Sequence, residues 1–108
     1  MSNERKYWVK QNMRFNLDSM HDHVWCLIYD MEDGLYDTVE LLGEQMDVDR
    51  LYELKDELEE LSVKAWGKVT GKEYGRIKEI SDERNLIRYA MCINSGMSES
   101  DASLAFFD

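Results

Sequence analysis

Proline is absent from the 108 residues, and glycine occurs only six times. Sheet-built domains need turn residues in number and helical ones do not, so this scarcity argues against a strand-rich fold. Cysteine occurs twice, as Cys26 and Cys92, each among apolar neighbours and without a C-x-x-C or Cys/His metal spacing. The pair reads as two buried thiols in a reducing compartment, which excludes a disulfide framework and a structural zinc site. No apolar run approaches the about 20 residues that span a bilayer, so no membrane segment is expected. The first ten residues are polar and basic with no apolar centre, so no secretory signal is expected and the expected location is the cytoplasm. Positive charge is also short. Thirteen Lys and Arg face 23 Asp and Glu, for a net charge of −10. A surface of that sign repels phosphate backbones, which argues against direct binding of nucleic acid.

Apolar residues make up 44% of the chain, which is enough for one core and too much for a disordered tail. Residues 1–15 form a polar arm with Tyr7, Trp8, Val9 and Phe15 interleaved, and residues 16–108 read as a single domain. From Leu17 the positions Met20, Val24, Ile28, Met31, Leu35, Val39, Leu42 and Met46 recur in steps of three and four, the period of a helix face. Leu51, Leu54, Leu58, Leu61 and Ala65 form a second such seam behind an Asp47 or Asp49 cap. Ile77, Ile80, Ile87 and Met91 form a third, after a glycine-punctuated connection at 66–75. Ser98 with Asp101 resembles a capping box that opens a short last helix. The spacing thus predicts an all-α bundle of about four helices, near 17–46, 49–66, 76–94 and 98–107. Two long apolar seams on so short a chain predict completion by oligomerisation.

Several constellations fail on inspection. Gly67 to Glu73 has three residues between its first two glycines and a glutamate where a phosphate loop needs a hydroxyl. The segment 85–107 could be a helix-turn-helix, but its would-be reading helix carries Glu99 and Asp101 and no basic residue. His21 and His23 lie two apart, so on a helix they point to different sides and cannot share one ion. They read as surface histidines.

The carboxylates are more informative. Seven acidic pairs stand three residues apart, as expected when about one residue in five is acidic, so spacing alone selects none of them. Two pairs stand out, Glu57-x-x-Glu60 and Glu79-x-x-Asp82, on two successive helices. At ~100° per residue Glu79 and Asp82 align with Leu86, Tyr89 and Ile93, a face that turns apolar downstream. Between the pairs runs the basic stretch Lys64, Lys68, Lys72, Arg76 and Lys78. Four carboxylates converging from two helices would suit Mg²⁺, which takes oxygen ligands and retains waters for a phosphate substrate.

These residues resemble the MazG-like all-α nucleoside triphosphate pyrophosphatases. The resemblance covers roughly residues 50–105. It lies in Leu54-Lys55-Asp56-Glu57-Leu58-Glu59-Glu60-Leu61 with Ala65 downstream, in Glu79-Ile80-Ser81-Asp82, and in Ile93-Asn94-Ser95-Gly96-Met97-Ser98-Glu99. Eighteen residues separate Glu60 from Glu79, which fits the family's spacer. After Asp82 the family continues with apolar residues, where this chain has Glu83-Arg84-Asn85. The resemblance implies that Glu57, Glu60, Glu79 and Asp82 hold Mg²⁺ or Mn²⁺ and carry catalysis. It also implies that Lys64, Lys68 and Lys72 steady the phosphates of a nucleotide substrate, and that the chain assembles with copies of itself. The alternative from charge alone is a non-enzymatic acidic helical protein that binds a basic protein partner, as a nucleic-acid mimic or inhibitor.

Overall fold

The structure, a computed structural model, describes residues 5–94, 96 and 98–101, with the side chains of residues 85, 86 and 89–94 outside that description. In chain order its elements are β1 (Lys6–Trp8), α1 (Gln11–Glu32), β2 (Val39–Leu41), β3 (Glu44–Met46), α2 (Val48–Lys64), β4 (Lys68–Thr70) and α3 (Gly71–Asn94). The protein is mostly helical, as expected, and also carries two small two-stranded sheets.

The first helix differs most from expectation. It starts at Gln11, not near Leu17, because Met13 extends the buried stripe of Leu17, Met20, Val24, Leu27, Ile28 and Met31 by one turn. It stops at Glu32 and does not run to Met46. Gly34, at φ 83°, takes the left-handed position, its N–H bonding the Met31 carbonyl while the Leu35 N–H reaches Asp30. That pair of bonds is the Schellman ending, which glycine enters without a Cβ penalty. Val39 and Met46 then sit opposite each other in an antiparallel hairpin, and Val39 and Leu41 are buried while Glu40 between them is exposed. The connecting Leu42 and Gly43 have φ of 54° and 76°. Positive φ at both central residues belongs to a type I′ turn, whose twist matches that of the strands. The stripe Val39, Leu42, Met46 was therefore a strand alternation and a turn that happened to satisfy helical spacing.

The second helix agrees closely with its seam. Asp47 caps it by accepting the Arg50 N–H at 2.9 Å, and Leu51, Leu54, Leu58 and Leu61 are buried. Its polar contacts with α1 run antiparallel: the Arg14 guanidinium lies 5.1 Å from the Trp66 ring centre, Ser62 donates to Asp18, and His21 meets Glu59. Strand β4 pairs antiparallel with β1, Tyr7 opposite Val69. Helix α3 begins at Gly71, five residues earlier than expected, because Thr70 and Glu73 form a capping box. Glu73 N–H donates to Thr70 Oγ1 at 3.2 Å, and Thr70 N–H donates to Glu73 Oε1 at 2.9 Å. Ile77, Ile80 and Ile87 are buried as expected. The expected placements of Met91 and of the face Leu86, Tyr89 and Ile93 lie outside the described residues. So does most of the helix expected at 98–107, of which residues 99–101 are helical with Ser98 accepting the Asp101 N–H.

One core joins these elements, with α1 packed against both α2 and α3. Cys26 is exposed, contrary to the buried thiol expected, because it projects from the side of α1 away from Val24, Leu27 and Ile28. Cys92 lies among the undescribed side chains. No helix among the described residues is long and apolar enough to cross a membrane.

Candidate functional site

A cleft of about 440 Å³ opens between the hairpin, α2 and α3. The hairpin contributes Leu42, Glu44 and Met46, α2 contributes Arg50, Glu53, Leu54 and Glu57, and α3 contributes Arg76 and Glu79. Local sequence explains the placement. Arg50, Glu53, Leu54 and Glu57 recur at three- and four-residue steps along one side of α2, and Arg76 and Glu79 stand one turn apart on α3.

Both arginines are already engaged. Arg76 bridges the helices: Nε and Nη2 donate to Glu57 Oε1 at 3.1 and 2.9 Å, and Nη1 donates to Glu79 Oε1 at 2.8 Å. Arg50 donates to Glu53 at 2.8 Å and to Glu44 at 3.2 Å, and these hydrogen bonds raise its pKa further above the ordinary value. The cleft thus lines up four carboxylates and two guanidiniums, paired two to one.

The four carboxylates expected to form a cage divide between two places. Glu57 and Glu79 meet in the cleft. Glu60 lies three residues along α2 and binds Lys64 at 2.9 Å. Asp82 is exposed on α3 and makes no ion pair among the described residues. Among the described residues no three His, Cys, Asp or Glu side chains are placed to hold a metal ion. The quartet as arranged does not fit Mg²⁺, and the Arg76 guanidinium supplies the positive charge that two of its members face.

The lysines expected to hold phosphate also lie elsewhere. Lys64 is fixed between Glu60 and Glu73, at 2.9 and 2.7 Å, and its pKa is raised by the Glu73 and then the Glu60 contacts. In return Lys64, followed by the Thr70 N–H, draws the Glu73 carboxyl down to about 2. Lys68 sits over the Trp8 ring at 5.3 Å, and Lys72 is exposed in the first turn of α3. None of the three lines the cleft. The histidines do diverge, but both are half-buried: His21 meets Glu59 at 3.1 Å, and His23 turns toward α3.

Arg50, Glu44 and Glu53 were not singled out by the sequence, and Arg76 was named only as one of a basic stretch. Two signals for them were present. Arg50-x-x-Glu53 and Arg76-x-x-Glu79 share one helical pairing interval. Charge is also segregated along the chain: 13 of the 23 acidic residues and two of the 13 basic ones fall within residues 30–60. That stretch carries −11 and the rest of the chain +1.

No protein-family model, curated protein or solved structure matches this chain. The resemblance to the pyrophosphatase family therefore rests on the residue pattern alone.

Proposed function

We propose that this chain is a non-enzymatic binding protein whose acidic end docks a basic protein surface. The observation that carries this reading is the concentration of the net negative charge in residues 30–60, which carry −11 while the rest of the chain carries +1. These residues are the end of α1, the hairpin and most of α2, which pack together. On α2, Asp49, Glu53, Asp56 and Glu60 are exposed at steps of four, three and four, on the side away from the leucine seam. The two basic residues of this end are spent internally, Arg50 on Glu44 and Glu53, and Lys55 on Asp56 and Glu59. A concentrated field of one sign steers an oppositely charged partner and suppresses others. Tyr29 and Leu35, 59% and 64% exposed at the same end, offer the apolar contact that a charged rim surrounds in a specific interface.

The test is titration with a fluorescent lysine- and arginine-rich peptide at two salt concentrations. Neutralising Asp49, Glu53, Asp56 and Glu60 to their amides should weaken binding at least tenfold. Neutralising Asp18, Asp22, Asp82 and Glu83, an equal charge elsewhere, should weaken it far less. Equal losses would show that net charge alone drives binding and would end this reading.

A second reading, a Mg²⁺- or Mn²⁺-dependent nucleoside triphosphate pyrophosphohydrolase, rests on the residue pattern and requires a cation to displace Arg76 from Glu57 and Glu79. Its test is a nucleotide panel with product analysis on the wild type and on Glu79→Gln. Turnover that the substitution abolishes would displace the binding-protein reading. Self-association is supported by the exposed Trp8, Phe15, Val63 and Trp66 around the start of α1 and the end of α2. Light scattering at micromolar concentration that returned 12.8 kDa would refute it.

A further inference from the structure

A second polar cluster occupies the seam between α1 and α3. Asn16, Ser19 and His23 follow one another at three and four residues along α1, and Ser81, Arg84 and Arg88 do so along α3. The two faces meet: Asn16 Nδ2 donates to Ser81 Oγ at 2.7 Å, and Arg84 Nη2 donates to Ser19 Oγ at 3.4 Å. All six residues are half-buried.

Arg84 differs from the four cations that bind the other faces of α2 and α3. Arg50, Lys55, Lys64 and Arg76 each hold two carboxylates, at 2.7 to 3.2 Å. Arg84 touches no carboxylate among the described residues, although the chain carries ten more negative charges than positive ones. Its Nε is buried without a hydrogen-bond partner, as are His23 Nδ1 beside it and, outside the seam, Arg14 Nε. Arg88 adds a second guanidinium whose charge acts on both His23 and Arg84. The opposing charge felt by His23 is that of Asp22, which is exposed.

A buried guanidinium N–H without an acceptor, beside a second guanidinium, costs free energy that an entering anion would recover. The missing partner must be an anion with several acceptors. A guanidinium fork matches the oxygens of phosphate, and the hydroxyls of Ser19 and Ser81, which already accept, each keep a proton to donate. We propose that the α1–α3 seam around Arg84, His23 and Ser19 is a binding site for a phosphate group. Burial, then Arg88 and then Arg84, lower the pKa of His23 from its ordinary value, and an anion in the seam would oppose that shift.

The experiment follows the arginine Nε–Hε and histidine ring resonances of the full chain by NMR. Inorganic phosphate, sulfate or phosphoserine is added while chloride keeps the ionic strength constant. Saturable shifts of the Arg84 and His23 signals in the low millimolar range or tighter are expected, with chloride alone giving none. Arg84→Gln should weaken binding at least tenfold and His23→Gln about threefold, while Lys78→Gln on the exposed face of α3 leaves it unchanged. If Arg84→Gln does not fold, the His23→Gln titration decides. Equal binding of phosphate and phosphoserine upholds the site for the free ion, and tighter binding of phosphoserine upholds it for a phosphorylated molecule. Shifts no larger than those from chloride, or binding that survives the folded variant undiminished, overturn the proposal.

Discussion

Replacing Arg76 with methionine tests the cleft most directly. Methionine keeps much of the apolar length and a comparable helix propensity, and removes the guanidinium that holds Glu57 and Glu79 together. Arg76 is 28% exposed, Glu57 43% and Glu79 58%, so both ion pairs are solvent-screened. Pairs of that kind contribute roughly 0.2–1 kcal/mol each. Two carboxylates left facing each other in a water-like dielectric add roughly 0.5–1 kcal/mol of repulsion. The variant should therefore lose about 1–3 kcal/mol, or roughly 5–12 °C in Tm for a domain of this size. The deficit should shrink in 1 M salt, where the screening length falls to about 3 Å. Removing Arg76 also leaves Glu44, Glu53, Glu57 and Glu79 facing a single guanidinium, a better cation site than the native cleft. With a millimolar dissociation constant, 10 mM Mg²⁺ or Ca²⁺ would restore about 1.4 kcal/mol. Thermal melts of both proteins at low salt, with and without the cation, supply the measurement. A variant that melts with the wild type, or a cation response no larger than the wild type's, would refute the role given to Arg76.

Other consequences can be checked in the same melts. Thr70→Ala removes the side-chain cap of α3 and should cost about 1 kcal/mol by urea denaturation. Glu73, drawn down to about 2, contributes stability that is present above its unfolded pKa near 4.5 and lost as pH falls from there toward 2. Glu73→Gln should flatten the acid limb of the stability curve in that window. His23 is held below its unfolded value of 6.5, so the unfolded chain takes up its proton first. Stability should fall as pH drops below 6.5 and level off below the lowered native pKa, and His23→Gln should remove that slope. Gly43→Ala meets no atom within 4 Å, so its cost is that of a left-handed backbone, about 1–2 kcal/mol.

Much of the helical architecture was legible because helices are local. The leucine seam of α2, its Asp47 cap and the isoleucines of α3 follow from contacts three and four residues apart, which sequence spacing displays directly. The hairpin was not legible. Val39, Leu42 and Met46 satisfy the helical period while Val39 and Leu41 satisfy the strand period, and burial against the helices chose the strand. The early start of α3 was written in Thr70 and Glu73 but masked by Gly71 and Gly75, whose low propensity the reciprocal cap offsets.

For function, the sequence by itself determined the amount and the sign of the charge, and its concentration in residues 30–60. What those charges face was decided only by the tertiary structure. Arg76 reaches Glu57 across 19 residues of chain, and Arg84 reaches Ser19 across 65. An ion pair depends on distance in space and on burial, and neither is periodic in sequence. The two carboxylate pairs could therefore be found by spacing, while the guanidinium between them, the separation of Glu60 and Asp82 from that cleft, and the unserved donors of the α1–α3 seam emerged only when the helices were packed.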